Sequence, residues 1–385
     1  MFSSRLAWDS QPNPLMELLA TIRSHGESVL DLTESNPTAA GLSFPQNTIL
    51  EALADPRLLR YEPEPAGLLT ARAAVSEYYR RRVAPERILL TASTSEAYSL
   101  LFKLLADPGD EVLAPRPSYP LFEFLASLES VRQVQYPLRY QDGWSIDFEA
   151  LERQINPRTR AIILVNPNNP TGSFLKKPEL EHLVRLCRAH NLAIISDEVF
   201  SDYAFADNPE RVASLSGVEE VLAFSLSGLS KVVGLPQLKL GWIVASGPAA
   251  ERNAAIQRLE LIADTYLSVG TPVQWAAARL LAWRDEIQKQ IRDRVLENRA
   301  FVAGQLSSGA PWRLLEIEGG WYAILQAPRI RSEEEWALLL LGEDRVLVQP
   351  GFFFDFDSEA FLVASLLTKP EIFREGIRRI LAHGV

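Results

Sequence analysis

Apolar positions along the chain fall into two rhythms that alternate from about residue 46 to residue 280. Short unbroken runs such as Ile88–Leu90, Ala161–Val165 and Ala193–Ile195 have the composition of strands buried on both faces. Between them apolar residues return at helical spacing, as in Tyr98–Leu105 and Pro178–His190. This alternation builds a parallel sheet from crossover units, so the stretch reads as one large α/β domain. Before it, Pro14–His25 reads as a helix ended by Gly26, and Asp31–Leu42 as an irregular arm. After it, Pro272–Leu306 reads as one long connecting helix, apolar at helical spacing among many charges. Trp321–Leu325, Val346–Val348 and Phe361–Leu366 then read as strands beside helices at Ser332–Leu341 and Pro370–Leu381. The expected division is residues 1–45 for the N-terminal helix and arm, 46–280 for the large domain, and 281–385 for a small α+β domain with its connecting helix.

Residues suited to chemistry stand where the apolar runs end. The run Ala193–Ile195 passes into Ser196-Asp197-Glu198, which places Asp197 at the carboxyl end of a strand, the edge where open α/β sheets bind ligands. A buried carboxylate there calls for a cationic partner; the alternative is an Asp capping the next helix. The run Ala161–Val165 empties into Asn166-Pro167-Asn168-Asn169-Pro170-Thr171-Gly172, where prolines and glycine set the path and Asn166 and Asn169 offer amide donors. The run Ile88–Leu90 leads to Ser93, Thr94 and Ser95 at a helix start, a place for an anion such as phosphate. A capping box from Ser93 to Glu96 fits the same residues, and the two readings are compatible. Lys231 lies in Ser227-Gly228-Leu229-Ser230-Lys231-Val232-Val233-Gly234, small surroundings that suit an amine reaching a cofactor carbonyl.

Together these four segments resemble the class I/II aminotransferases, fold-type I enzymes of pyridoxal 5′-phosphate (PLP), over nearly the whole chain. The resemblance implies a large domain with a mostly parallel, seven-stranded-type sheet and a small α+β C-terminal domain. It implies Lys231 as the Schiff-base lysine and proton carrier, Asp197 as partner of the pyridinium nitrogen, and Asn169 as donor to the ring oxygen O3′. Tyr119 would stack on the ring, while Ser93, Thr94, Ser95, Ser230 and Lys239 would hold the phosphate. Tyr61 matches a tyrosine that reaches the neighbouring subunit's phosphate, implying a homodimer with shared sites. The reaction implied is amino transfer between an amino donor and a 2-oxo acid by ping-pong half-reactions. A PLP-dependent β-lyase or decarboxylase on the same scaffold, or a non-catalytic PLP-binding protein, is the alternative.

The chain departs from the family pattern in four places. Lys239 stands where the pattern has arginine, keeping the charge without the bidentate fork. Gly228 stands for a phosphate-binding serine, leaving Ser227 or Ser230 to substitute. Phe200 replaces a tyrosine that donates to O3′, and Tyr203, at an odd offset on a segment read as extended, is expected to face away. The strand Phe361–Leu367 lacks the arginine that grips a substrate carboxylate, with Arg5, Arg345 and Lys369 as stand-ins that sequence does not rank.

Composition narrows the partners. A net charge of −10, with no basic motif loop, argues against nucleic acid and anionic membranes. The four histidines are scattered, so no metal site is expected, and Cys187, the only cysteine, excludes an intrachain disulfide. Residues 1–9 show no apolar signal segment and no run approaches a membrane span, so a cytoplasmic enzyme is expected.

Overall fold

The structure, a computed structural model, describes residues 2–8, 13–306, 311–358 and 360–383. The helix Pro14–Ser24 begins at Asn13, whose side chain accepts from the Leu15 N–H, and leads to β1 (Leu30–Asp31) in the arm. The large sheet comprises β2 (Ile88–Thr91), β3 (Glu111–Arg116), β4 (Arg132–Tyr140), β5 (Trp144–Ile146), β6 (Thr159–Val165), β7 (Ala193–Asp197), β8 (Ala223–Gly228) and β9 (Gly241–Ser246). Its order is β2-β9-β8-β7-β6-β3-β4-β5. Strands β8, β7, β6, β3 and β4 are parallel, whereas β9 is antiparallel to both its neighbours. The mostly parallel seven-stranded sheet is thus present, extended by β5 as a short antiparallel eighth strand.

Every residue of β7, β8 and β9 is buried, because apolar clusters cover both faces. The helices Thr94–Leu105 and Ala249–Asp264 supply one cover, Lys177–His190 part of the other. Strand order reverses between β3 and β6: the chain moves outward to β4, then returns to the other side of β3. That reversal opens a crevice at the carboxyl ends of the strands, where a ligand binds without crossing a connection.

The expected single connecting helix is two, Thr271–Ala282 and Arg284–Gln305, parted at Trp283. Trp283 packs on Phe44 of the arm, with ring centroids 5.7 Å apart. Both helices bury apolar faces in one core cluster, so the apolar rhythm runs through the break unseen. The small sheet is antiparallel, ordered β10 (Arg313–Leu314), β11 (Tyr322–Gln326), β14 (Phe361–Ser365), β13 (Gln349–Pro350). The segment read as a strand at Val346–Val348 yields β12 (Val346–Leu347), which pairs in parallel with β1 rather than joining this sheet. That pairing, continued by the Ser365 N–H donating to Leu32 O at 2.6 Å, holds the arm against the small domain.

Candidate active site

Lys231 sits on a four-residue helical turn, Leu229–Val232, directly after β8. A turn this short cannot sustain itself, so outside groups hold it. Leu240 O accepts from the Leu229 N–H at 2.9 Å, the Tyr203 hydroxyl donates to Lys231 O at 2.6 Å, and Gln288 Nε2 donates to Val232 O at 3.0 Å. Gln288 also donates to Asp202 at 2.7 Å, and Tyr78 donates to the same carboxylate oxygen at 3.1 Å. The lysine side chain is half-buried among rings: Nζ lies 4.7 Å from the Trp321 centroid and 5.3 Å from that of Phe200. Burial pushes the amine down to about 8, and the negative charge of Asp197 pulls in the opposite direction.

Tyr203 corrects the sequence reading. Residues 199–202 form a turn, with the Ser201 N–H on Glu198 O and the Tyr203 N–H on Phe200 O, so the parity of an extended strand does not apply. Tyr203 is buried beside Lys231, but its hydroxyl is committed to the main chain. Trp321 was unannounced beyond its place in a strand. The Gly319-Gly320 pair before it was the available signal: a Cβ on Gly319 would lie 2.5 Å from Tyr203 O, so only glycine lets this segment pair with residues 203–205.

Asp197 ends β7 and is buried. Desolvation pushes its carboxyl up to about 6, against the Val199 N–H at 3.2 Å, the Tyr98 hydroxyl at 3.3 Å and the Lys231 charge. The helix-capping alternative for Asp197 is not realised: the Val199 N–H, from which its side chain accepts, opens a turn at residues 199–202, and no helix follows it. Tyr98, on the helix Thr94–Leu105, escaped the sequence reading because its ring serves the helix's apolar face.

The three asparagines of the loop after β6 divide sharply. Asn166 is spent on structure, donating to Val212 O at 2.9 Å and accepting from the Leu175 N–H at 3.0 Å, which removes it as a cofactor donor. Asn168 is likewise saturated by Ser118, Pro117 and Thr171. Asn169 lines a cavity with Tyr119 and has a buried Oδ1 without a partner. Tyr119, on the loop after β3, is half-buried near Asp197, and its hydroxyl is pushed up to about 12 by burial and that charge.

Ser93 caps the helix Thr94–Leu105, accepting from the Glu96 N–H at 3.1 Å, while Glu96 accepts from the Ala92 N–H at 2.6 Å. Thr94 and Ser95 occupy the first turn, where N–H groups are free for an anion. Gly228 and Gly241 face each other across β8 and β9. A Cβ on Gly241 would come within 3.1 Å of Ser93 C and 3.2 Å of Ser227 O, so the glycine brings these serines to one cup. Ser227 Oγ is buried there without a partner; Ser230 is half-buried on the lysine turn, and Lys239 is exposed with φ +53°. Tyr61 stands apart, 77% exposed beside a cleft that includes Leu90, Glu96 and Tyr266.

The strand β14 carries no cation and is wholly buried. Of the proposed stand-ins, Arg345 pairs with Glu27 at 2.7 Å and donates to Gly342 O, and Arg5 donates to Leu128 O at 3.0 Å beside a different cleft. Lys369 is exposed and runs past Gly41 of the arm. None of the three lines the cavity at Tyr119 and Asn169. Among the described residues no group of acids, histidines and cysteine could hold a metal ion, and no helix is long and apolar enough to cross a membrane.

The chain is similar to known proteins over nearly its whole length. The family description "Aminotransferase class I and II" matches residues 27–380. The chain is 29% identical over 353 residues to the glutamate-pyruvate aminotransferase AlaA of Escherichia coli, covering 89% of this chain and 87% of that protein. It is 30% identical over 383 residues to the arginine–pyruvate transaminase AruH of Pseudomonas aeruginosa, covering 97% and 93%. A crystal structure of an aminotransferase from Escherichia coli superposes with a TM-score of 0.87 at 26% identity, covering 99% of this chain and 97% of the other. The chain therefore belongs to the class I and II aminotransferases.

Proposed function

We propose that this aminotransferase binds PLP in the crevice at the β3/β6 reversal and moves an amino group between an amino donor and a 2-oxo acid with Lys231 as its catalytic amine. The observation that carries this reading is a half-buried amine, lowered to about 8, on the turn after β8, with a buried carboxylate one strand away. The family consists of PLP enzymes, and this chain's unsatisfied groups fit the cofactor. Among the described residues Ser227 Oγ and Asn169 Oδ1 are buried without partners, and a folded chain tolerates few such atoms unless a ligand completes them; the hydroxyl can donate as it stands, whereas Asn169 has to turn its amide, because its oxygen accepts only.

When bound, PLP supplies a carbonyl carbon that takes up the amine and a protonated ring that withdraws electrons. Lys231 would hold that carbon and, once released by the donor, accept and return a proton through Nζ. An amine near 8 is free base to about a tenth at pH 7 and about a half at pH 8, far more than an ordinary lysine. Asp197 would pair with the ring nitrogen, its desolvated carboxylate gaining the cation it lacks. Asn169 would turn its amide to the ring oxygen, Tyr119 would cover the ring face, and the helix start at Ser93–Ser95 with Ser230 and Lys239 would take the phosphate.

The active unit is a homodimer in this reading. Tyr61 and Tyr266 are 77% and 56% exposed and line one cleft, a surface suited to a second copy, and Tyr61 would reach the partner's phosphate cup. The test is the visible spectrum of the PLP-loaded protein beside Lys231→Ala during titration with amino acids. Conversion of the wild type to the pyridoxamine form, absent in the variant, supports the reading; release of ammonia without that form identifies a lyase.

A further inference from the structure

We infer that Gln288, on the helix Arg284–Gln305, is a positioning residue for the Lys231 amine, its amide aimed at the lysine turn by the carboxylate of Asp202. This inference rests on the aminotransferase reading and adds to it a residue that acts through the main chain beside the amine.

The turn Leu229–Val232 does not fix its own far end. Leu229 O accepts from the Val233 and Leu235 N–H groups at 3.1 and 3.2 Å, whereas Lys231 O and Val232 O take their donors from the side chains of Tyr203 and Gln288. Gln288 Nε2 spends its two hydrogens on two acceptors, Val232 O at 3.0 Å and Asp202 Oδ2 at 2.7 Å. An ionised carboxylate only accepts, so Asp202 draws the nitrogen of the amide, rather than its oxygen, to this side. Tyr78 steadies the carboxylate by donating to the same oxygen at 3.1 Å. Gln288 is 5% exposed and Val232 is fully buried within this one chain, so the contact does not depend on a second copy.

The helix that carries Gln288 reaches the rest of the site's frame as well. Its buried residues include Ile287, Ile291, Val295 and Val302, with Asn298 as the other buried polar side chain. Asn298 Nδ2 divides its hydrogens in the same way, between Leu366 O at 2.9 Å and Thr368 O at 2.8 Å, just beyond β14. Between the two amides, Arg294 donates to Ala40 O of the arm at 3.1 Å. The amides stand about 15 Å apart along one helix, so a single stiff element ties the lysine turn to the arm and to the small domain.

A methionine at 288 would fill the same space, but Val232 O would lose its donor and the turn its far anchor. A loosened amine spends less time in reacting geometry, which slows the chemical step and leaves the walls that bind the donor in place.

The experiment compares wild type, Gln288→Met and Asp202→Asn in two ways. Single turnovers of the PLP-loaded proteins follow the pyridoxamine form, with the fastest of the common L-amino acids as donor. Calorimetry on the cofactor-free proteins gives dissociation constants for PLP and for pyridoxamine phosphate, which has no carbonyl for the amine to take. Gln288→Met should lower the maximal rate about tenfold and leave the half-saturating donor concentration within about twofold. It should weaken PLP about tenfold relative to pyridoxamine phosphate, a separation that a merely loosened fold does not produce. Asp202→Asn keeps an acceptor but lets the amide turn over, and should show both effects at about threefold. An unchanged maximal rate in Gln288→Met, or equal weakening of the two ligands, overturns the positioning role alone. Should that variant not fold, Asp202→Asn decides by the same two criteria. Conversion of the wild type by no donor, or of Lys231→Ala at the wild-type rate, overturns the aminotransferase reading and this inference with it.

Discussion

Tyr203 donates its phenolic hydrogen to the main-chain carbonyl of Lys231 at 2.6 Å, so the residue six positions after Asp197 holds the backbone of the amine that faces Asp197. The bond matters because the lysine turn has only four residues and its last carbonyls have few internal donors. Gln288 supplies the second donor, from the helix Arg284–Gln305. The placement of the amine thus depends on elements far from it in sequence.

Tyr203→Phe leaves that carbonyl without its donor in a buried setting. The variant should lose about 1–3 kcal/mol in denaturant unfolding, the cost of an unsatisfied buried acceptor. Its kcat should fall several-fold with little change in KM, since the amine loosens while the substrate walls stay. A kcat equal to wild type would show that the turn is held adequately without Tyr203.

Asp197→Asn removes the charge that holds the Lys231 pKa up against burial, so the amine should titrate below about 8. Competitive labelling of Lys231 in the cofactor-free protein against pH reads this directly. A pKa that stays put or rises would refute the assigned coupling.

The same pair makes stability depend on pH in the cofactor-free protein. Asp197 is raised to about 6 from an ordinary carboxylate value near 4, so its contribution is full below about pH 4 and fades as pH rises through 6. Lys231 is lowered to about 8 from about 10.5, so its contribution is full above about pH 10.5 and fades as pH falls through 8. Unfolding free energies of wild type and Asp197→Asn, compared from pH 4 to pH 6, should shift in the variant's favour as pH rises. A difference independent of pH over that range would show that Asp197 does not titrate there.

Gly241→Ala would push a methyl group to within 3.1 Å of Ser93 C and 3.2 Å of Ser227 O. The variant should bind PLP about tenfold more weakly, yet bind unphosphorylated pyridoxal nearly as well, because the insult falls on the cup proposed to hold the phosphate. Equal losses for both ligands would place the cup elsewhere.

Lys239→Ala should weaken PLP binding by about tenfold or more, and Lys239→Arg should restore or exceed the native affinity by adding a fork. The backbone at position 239 has φ +53° in every case, so Lys and Arg differ there only in their head groups. Dissociation constants from absorbance titration at low and high salt decide it; an effect seen only at low salt would identify a distant charge rather than a contact.

The alternation of apolar runs with helical spacing determined the fold class from the sequence alone, because two-faced burial demands unbroken strands and one-faced burial demands amphipathic helices. That Asn169, Asp197 and Lys231 follow strand ends at one edge of the sheet was legible for a related reason. In a parallel sheet the carboxyl ends of neighbouring strands share one edge, so order along the chain translates into proximity. The break at Trp283 was not legible, since both helices it separates feed the same core. Whether a polar group is free or already spent was decided only by the tertiary structure. Asn166 and Asn169 look alike in sequence, but Val212 and Leu175 saturate the first and nothing among the described residues satisfies the Oδ1 of the second. Arg345 and Arg5 were equal candidates until Glu27 and Leu128 accounted for them. Tyr98, Tyr203 and Trp321 belong to the same class: each reads locally as core, and only folding brings its hydroxyl or ring to Asp197 or Lys231. Periodicity records which face of an element is buried, whereas a hydrogen bond or ring contact depends on which distant element covers that face.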